Sequence, residues 1–418
     1  MTRSLGPLHA GHVVIIGGGP GGTACALALQ RMAGEMGRKI QLTIVEGKQF
    51  VGEMHHNQCV GVLSPPLPDL LWDRLGVKFP YQLCRGEISQ YVIHTAREQI
   101  TLNDKDQPSV ALRRVQYDAY MLDAVKEHGI TVIPARAVDL EFHDEHVVVY
   151  TENSPLEADV IVGAFGMDDG SSAMFNRLTP YHPPQALSSI VTKYHPSPED
   201  MHAFGPCIHA FLPANRKIEF GGVTPKGNHL TINIAGSNVD ADLMITFLSQ
   251  PEVRGILPNF IGDNGFNPLE LQFYKGRFPR SLARGYYGDR YVLVGDAAGL
   301  VRAFKGKGIT SAVITGIRAA ETILQSGISE QAFYNHYCSL NKDITQDLPY
   351  GQAMRHFTIF LAHYHLLDPV LRAAKGNPAL QSALFDAVSA HAPYRQVIQQ
   401  SLHPDIILAV LHTWINNK

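Results

Sequence analysis

Val13-Val14-Ile15-Ile16-Gly17-Gly18-Gly19-Pro20-Gly21-Gly22 joins a β-branched run to a cluster of glycines near the start of the chain. Val13 to Ile16 is a β-branched run suited to a strand buried on both faces, and the glycines follow without a gap. They read as GxGxxG on Gly17, Gly19 and Gly22. Ala24 to Met36 then supplies helix formers, and Ile40 to Val45 a second strand that ends in Glu46. A strand, glycine turn, helix and strand in this order form a dinucleotide-binding unit. Gly17 permits the tight turn, Gly19 lets a pyrophosphate approach the backbone, and Gly22 lets the helix pack close on the strand. The helix start at Pro20 faces the phosphates, and Glu46 can accept from an adenosine ribose hydroxyl. Gly17, Gly19, Pro20, Gly22 and Glu46 are therefore candidate cofactor-binding residues. NAD and FAD share this fingerprint, so the unit alone leaves the dinucleotide open.

Working outward, 418 residues predict roughly two to three domains and a large core. An apolar fraction of 45% with 17% charged residues disfavours disorder. Lys and Arg number 35 against 38 Asp and Glu, so no basic field exists to attract nucleic acid. The five cysteines are scattered and form no CxxC pair, which argues against a disulfide framework or zinc knuckle and suits a reducing cytoplasm. No secretory signal or membrane-length apolar window is seen, so a cytoplasmic location is expected, with peripheral membrane association as an additional option. The short apolar stretch Ile406 to Ile415 is expected in a core rather than on a membrane, because no Lys/Arg row accompanies it.

Three later segments point to FAD. Arg114-Val115-Gln116-Tyr117-Asp118 resembles the RxxFD segment of glutathione-reductase-type flavoproteins, in which the arginine lies near the flavin cofactor. Ala158 to Gly166 resembles the ADxVVGADG segment of the same group, with Phe165 where an aspartate usually stands. Tyr291-Val292-Leu293-Val294-Gly295-Asp296-Ala297-Ala298-Gly299 is a buried strand running into a glycine-aspartate turn. Gly295 and Gly299 allow close backbone approach, and Asp296 can accept from a ribityl hydroxyl. The turn resembles the GDAAG turn of FAD enzymes of the group-A hydroxylase and reductase superfamily, which contacts the ribityl chain and pyrophosphate.

The resemblance narrows to the FAD-dependent geranylgeranyl reductase family, which reduces isoprenoid double bonds. Cys59-Val60-Gly61-Val62-Leu63-Ser64-Pro65 is similar to its CxGxLSP segment. Phe220 to His229 is similar to its YxWxFPKGD strand and turn, but Gly222 and Thr224 stand where the family has Trp and Phe. Ala303-Phe304-Lys305-Gly306-Lys307-Gly308-Ile309 is similar to its PFTGEGI loop over the isoalloxazine ring, with Lys305 and Lys307 replacing Thr and Glu. Two cations there would stabilise reduced, anionic flavin. Tyr350 to Arg355 and Ala392 to Tyr394 are similar to the helical end of these reductases.

The resemblance implies Arg114, Gly295, Asp296, Gly299, Gly306, Gly308 and Ile309 as further FAD-binding residues, and Gly222, Pro225 and Lys305 as substrate-side residues. It places Cys59 near the flavin, where a thiol can donate a proton. His55 and His56 lie just upstream of it. His356, His363 and His365 share an aromatic-rich helix with Phe357, Phe360 and Tyr364, but no carboxylate or cysteine completes a ligand set, so no metal is expected. The expected fold class is α/β with an α+β second domain. It comprises a discontinuous Rossmann-like FAD domain at 1–185 and 285–328 with a flavin-site insertion at about 52–100. An antiparallel-sheet substrate domain at 186–284 and a C-terminal helical region at 329–418 complete it. The expected activity is reduction or desaturation of C=C bonds in an isoprenoid or other apolar substrate. The electron donor would be NADPH or an electron-transfer protein, since no second GxGxxG is present. An FAD monooxygenase and a non-catalytic flavin-binding protein are the alternatives. Halogenation fits less well, with only Trp72 and Trp414 present and no WxWxIP segment.

Overall fold

The computed structural model describes residues 5–50, 59–103, 108–257, 271–302, 308–389 and 392–415. The fold is mixed α/β, as the glycine turn and its flanking strands imply. Ala10–Ile16 is the central strand of a six-stranded sheet, flanked in parallel by Lys39–Val45 and Val160–Gly163. Thr131–Ile133 and Tyr291–Leu293 extend the parallel part outward on either side, and Tyr287–Gly288 adds an antiparallel edge. Val13, Val14 and Ile15 are wholly buried, because helices cover both faces of a parallel sheet. Each such side chain contributes about 1.5–3 kcal/mol of apolar burial. The helix Pro20–Glu35 packs against the long helix Gly308–Gln325.

A seven-stranded sheet stands over this domain in the order Tyr274–Pro279, Ala186–Tyr194, His229–Gly236, Phe220–Lys226, Cys207–Phe211, Gln90–His94, Gln99–Asn103. It differs from a purely antiparallel insertion of 186–284 in two ways. Gln90–His94 and Gln99–Asn103 join it from earlier in the chain, and Cys207–Phe211 pairs with Gln90–His94 in parallel. Tyr91, Val92, Ile93 and His94 are all buried there, as a strand covered on both faces requires, while Ile100 and Leu102 alternate with exposed residues on the edge strand.

The two faces of the sheet have different jobs. Ile190, Val223, Leu230, Ile232 and Ile234 bury one face against Met244, Phe247 and Leu248 of the helix Ala241–Leu248. The opposite face carries Val191, Lys193, Gly222, Thr224, Thr231 and Asn233, which share it through cross-strand register. This face looks toward the nucleotide-type domain at one end. At the other it is covered by C-terminal helices, which pack Leu371, Ala374, Leu380 and Ile406 against Tyr91, Ile93 and Ile208.

The last helix, Pro404–Ile415, corrects the expectation of core burial. Ile406 is buried, but Leu408 is 64% and Ile415 65% exposed, and Ile407, Leu411 and Trp414 are exposed with them. The helix is apolar nearly all round, while only one of its sides meets the helix Leu367–Lys375. No described helix is long and apolar enough to cross a membrane.

Candidate functional site

A cleft of about 1280 Å³ separates the glycine turn from the inner face of the seven-stranded sheet. Ligand pockets usually hold ~300–1,000 Å³, so this one has room for a dinucleotide and a second molecule. On one wall are Gly17, Gly19, Pro20, Glu46, Arg114, Gly295, Asp296, Gly308 and Ile309; on the other are Ile93, Gly222, Thr224 and Asn233, with Cys59 also lining it.

The glycine turn is built by two constraints. Gly17 has φ +109°, a backbone conformation that L side chains avoid, and a Cβ there would sit 2.5 Å from the Ala164 carbonyl oxygen. A Cβ on Gly22 would lie 2.0 Å from the Gly17 carbonyl oxygen, so Gly22 serves helix-on-strand packing and does not line the cleft. Gly19 is different in kind. A Cβ there would meet nothing nearer than Arg114 Nη2 at 4.0 Å, so its open side faces the cleft. Gly19 also starts the helix Pro20–Glu35 with no side-chain cap, which leaves first-turn N–H groups for an external acceptor.

Glu46 closes the turn from the second strand. Its Oε2 accepts from the Gly18 N–H at 2.8 Å and its Oε1 from the Lys48 N–H at 2.7 Å. Both oxygens keep further lone pairs for hydroxyl donors.

Arg114 opens the helix Arg114–Glu127 and reaches over the cradle. Its Nε donates to Asp118 Oδ1 at 2.7 Å, and the Asp118 side chain is fully buried. Burial works against the guanidinium charge, but Asp118 outweighs it with help from Cys59 and Asp296, so the arginine pKa is raised. Asp296 follows Gly295 at the turn after Tyr291–Leu293, beside the start of the Gly308–Gln325 helix. Desolvation raises its pKa, with Arg114 opposing.

Gly299 lies away from the cleft. A Cβ there would come 2.1 Å from the Ser281 carbonyl oxygen, so the glycine is required by a crossing backbone segment. Phe165 lines the cleft and packs its ring 5.2 Å from Phe175, so an apolar side chain stands where the resembled segment has an aspartate. Lys305, Gly306 and Lys307, and likewise His55 and His56, lie outside the described residues.

On the sheet side, Gly222 creates space. A Cβ there would meet Asn233 Oδ1 at 2.9 Å, so the missing side chain lets a carboxamide reach into the cleft. Pro225 is buried and does not line it. Cys59 is exposed, and its Sγ accepts from the Gly61 N–H at 3.3 Å.

Two polar groups of residues were not singled out by sequence. Arg355 and Glu219 meet at 3.5 Å inside the cleft wall, both nearly buried, and each keeps hydrogen-bonding atoms without a partner. Lys226 is also buried, and its Nζ donates to the Cys59 carbonyl at 3.2 Å. The signal for the second group was present as period-two alternation, with His229, Thr231 and Asn233 interleaved with Leu230, Ile232 and Ile234. Among the described residues no three His, Cys, Asp or Glu side chains come together as a metal site. His363 instead accepts from Arg216 Nε at 2.6 Å.

No protein-family model matches the chain. A curated relative, an uncharacterized protein of Methanosarcina barkeri, is 24% identical over 345 residues, 78% of each chain. Among solved structures, a geranylgeranyl bacteriochlorophyll reductase-like protein from Thermoplasma acidophilum is similar with a TM-score of 0.68. Its identity is 16%, and the match covers 94% of this chain and 98% of that one. A flavoprotein/dehydrogenase from Cytophaga hutchinsonii gives 0.69 at 16% identity, covering 98% and 100%. A flavin-dependent brominase gives 0.64 at 16%, covering 94% and 98%. The chain has the fold that these flavoproteins share.

Proposed function

We propose that this chain is an FAD-dependent oxidoreductase that reduces, or in reverse desaturates, carbon–carbon double bonds in a substrate with an apolar chain. The observation that carries the reading is one continuous cleft running from the glycine cradle past Gly295 and Asp296 to the inner face of the sheet. Its residues fit the cofactor. The uncapped helix start at Gly19 and the Arg114 guanidinium suit a pyrophosphate, Glu46 suits an adenosine ribose, and Asp296 suits a ribityl hydroxyl. FAD bound there supplies the hydride chemistry.

The protein's own part is to hold the substrate against the sheet, keep water out and deliver a proton. Val191, Ile93 and Ile208 give the sheet side an apolar floor. The Cys59 thiol, exposed at the cleft, is the proposed proton source. NADPH or an electron-transfer protein is the proposed donor. The Thermoplasma acidophilum neighbour, described as reductase-like, supports the direction of reaction. Anaerobic incubation of the reduced protein with unsaturated polyprenyl compounds tests it: products two daltons heavier support the reading, and none across a broad panel overturns it.

A second reading, an FAD monooxygenase, is favoured by the small and polar positions Gly222, Thr224 and Asn233 on the cleft wall. Substrate-coupled oxygen uptake with an added oxygen atom in the product would select it. The exposed apolar row on Pro404–Ile415 supports peripheral association of this end with a lipid surface.

A further inference from the structure

Glu219 stands at the end of the sheet opposite Cys59. Its N–H donates to the Ala235 carbonyl at 2.8 Å, which adds it to the ladder just ahead of the strand Phe220–Lys226. Lys226, whose Nζ donates to the Cys59 carbonyl, is seven residues further on, a strand length of roughly 20 Å. Arg355 reaches Glu219 from the helix Leu348–His363, which is tied down on both sides of it. Gln352 Nε2 donates to the Arg280 carbonyl at 2.9 Å, and His363 Nδ1 donates to the Ala214 carbonyl at 3.1 Å. Arg355 and Glu219 both line the cleft, among Phe220, Thr358, Ile359 and Val388.

The pair is close but not closed. Arg355 Nε and Glu219 Oε2 lie 3.5 Å apart in side chains 7% and 9% exposed, beyond the ~2.7–3.2 Å of a direct hydrogen bond. Arg355 Nη2 donates to His356 Nε2 at 3.3 Å, but Nε and Nη1 have no partner, and neither has Glu219 Oε2. Of the described residues that line the cleft, these two alone hold buried polar side-chain atoms left unpaired. Arg280 stands near Arg355 but outside the cleft lining. Burial strips water from such groups, so native structures rarely leave them unmet.

The unmet atoms are of both kinds. A guanidinium only donates and a carboxylate only accepts, so the group that completes them must do both. A hydroxyl does so with one oxygen, which accepts from Arg355 and donates to Glu219 Oε2, and a 3.5 Å gap lets that oxygen lie at bonding distance from each. A carboxylate or phosphate would meet Arg355 and leave the Glu219 oxygen facing a second acceptor. An ammonium would reverse the fault.

We propose that Arg355 and Glu219 recognise a hydroxyl of the substrate at the end of the cleft remote from Cys59, so that the substrate is an alcohol with an apolar body. This rests on the reading of the cleft as a flavoenzyme chamber and adds which polar group the substrate carries. Bonds to two charged partners are stronger than neutral ones. An analogue that lacks the proton leaves Glu219 unpaired, so the pair selects by rejection as well as by attraction.

The test is calorimetric titration of the FAD-loaded full chain with decanol, decyl methyl ether and decanoate, for the wild type and the double variant Arg355→Met, Glu219→Leu. Removing both charges together leaves neither buried alone, so the double variant is expected to fold. The wild type should bind decanol at least about tenfold tighter than the ether, and the double variant should lose that preference through weaker decanol binding. If the double variant does not fold, the wild-type comparison of alcohol and ether still decides. Equal wild-type affinities, the result for a pair bridged by water alone, overturn the proposal. So does decanoate binding tighter than decanol, or a double variant that keeps the preference for the alcohol. Failure of the flavoenzyme reading shows separately, as protein that takes up no FAD, and the alcohol and ether comparison on that colourless protein still tests the pair.

Discussion

The backbone N–H of Gly18 donates to Glu46 Oε2 at 2.8 Å, which ties the glycine turn to the end of the second strand. A single carboxylate thereby sets the shape of the cradle and offers its free lone pairs to the cleft. Glu46→Ala is expected to weaken FAD affinity by about 10- to 100-fold, the effect of one charge-assisted contact and a loosened turn. Flavin fluorescence titration of the apoprotein measures it, and an affinity within twofold of wild type would remove Glu46 from the site.

Gly22 and Gly19 are expected to separate stability from binding. In Gly22→Ala the new Cβ falls 2.0 Å from a carbonyl oxygen, so helix and strand must part and stability drops by about 3 kcal/mol or more. Gly19→Ala meets open space, so the unfolding midpoint should hold while FAD affinity falls. Thermal unfolding of both apoproteins, followed by flavin titration, checks the contrast.

His94 and His209 are hydrogen-bonded at 2.8 Å on the sheet, with desolvation pushing their pKa values down to about 4 and about 3. Both are neutral when folded, whereas the unfolded chain protonates them below about pH 6.5. Stability is therefore fully present above that pH and is lost as pH falls from about 6.5 toward 4, at up to about 1.4 kcal/mol per unit for each ring. Urea midpoints between pH 7 and 4.5 should decline, and His209→Asn should flatten the slope. An unchanged slope would contradict the assignment.

Cys59 is exposed while Cys25 is wholly buried, with its thiol pKa raised by desolvation. A disulfide reagent should label Cys59 in the native protein and leave Cys25 untouched until unfolding. Mass spectrometry of the labelled peptides reads this directly, and protection of Cys59 by a bound cleft ligand would place that ligand beside it.

At the C-terminal end, Leu408→Ser and Trp414→Ser replace exposed apolar groups, so each should change stability by less than about 0.5 kcal/mol. Co-sedimentation with zwitterionic phosphatidylcholine vesicles, driven by the exposed apolar side chains of a helix that carries no Lys or Arg, is expected for the wild type and reduced in the double variant. Equal sedimentation would sink the membrane reading of this helix.

Sequence disclosed the nucleotide-binding half well, because its constraints are local. Gly17 and Gly22 are forced by backbone geometry inside six residues, and the run Val13 to Ile16 just before them is β-branched throughout. The rest depends on contacts between distant segments. Gly299 answers to Ser281, which no spacing reveals, and Gly222 makes room for Asn233 across a strand pair. Lys226 looked like one residue of a turn until the sheet set it beside Lys193 and Cys59. The helix Pro404–Ile415 has the composition of a core segment, and only its position on one side of Leu367–Lys375 shows how much of it remains in water.

FAD binding is tested by the visible spectrum of the purified protein, followed by denaturation and identification of what is released. A yellow protein is expected, or an apoprotein that becomes yellow on adding FAD, with intact FAD freed on unfolding. A protein that neither carries nor takes up FAD, or that releases a nicotinamide dinucleotide instead, would contradict it.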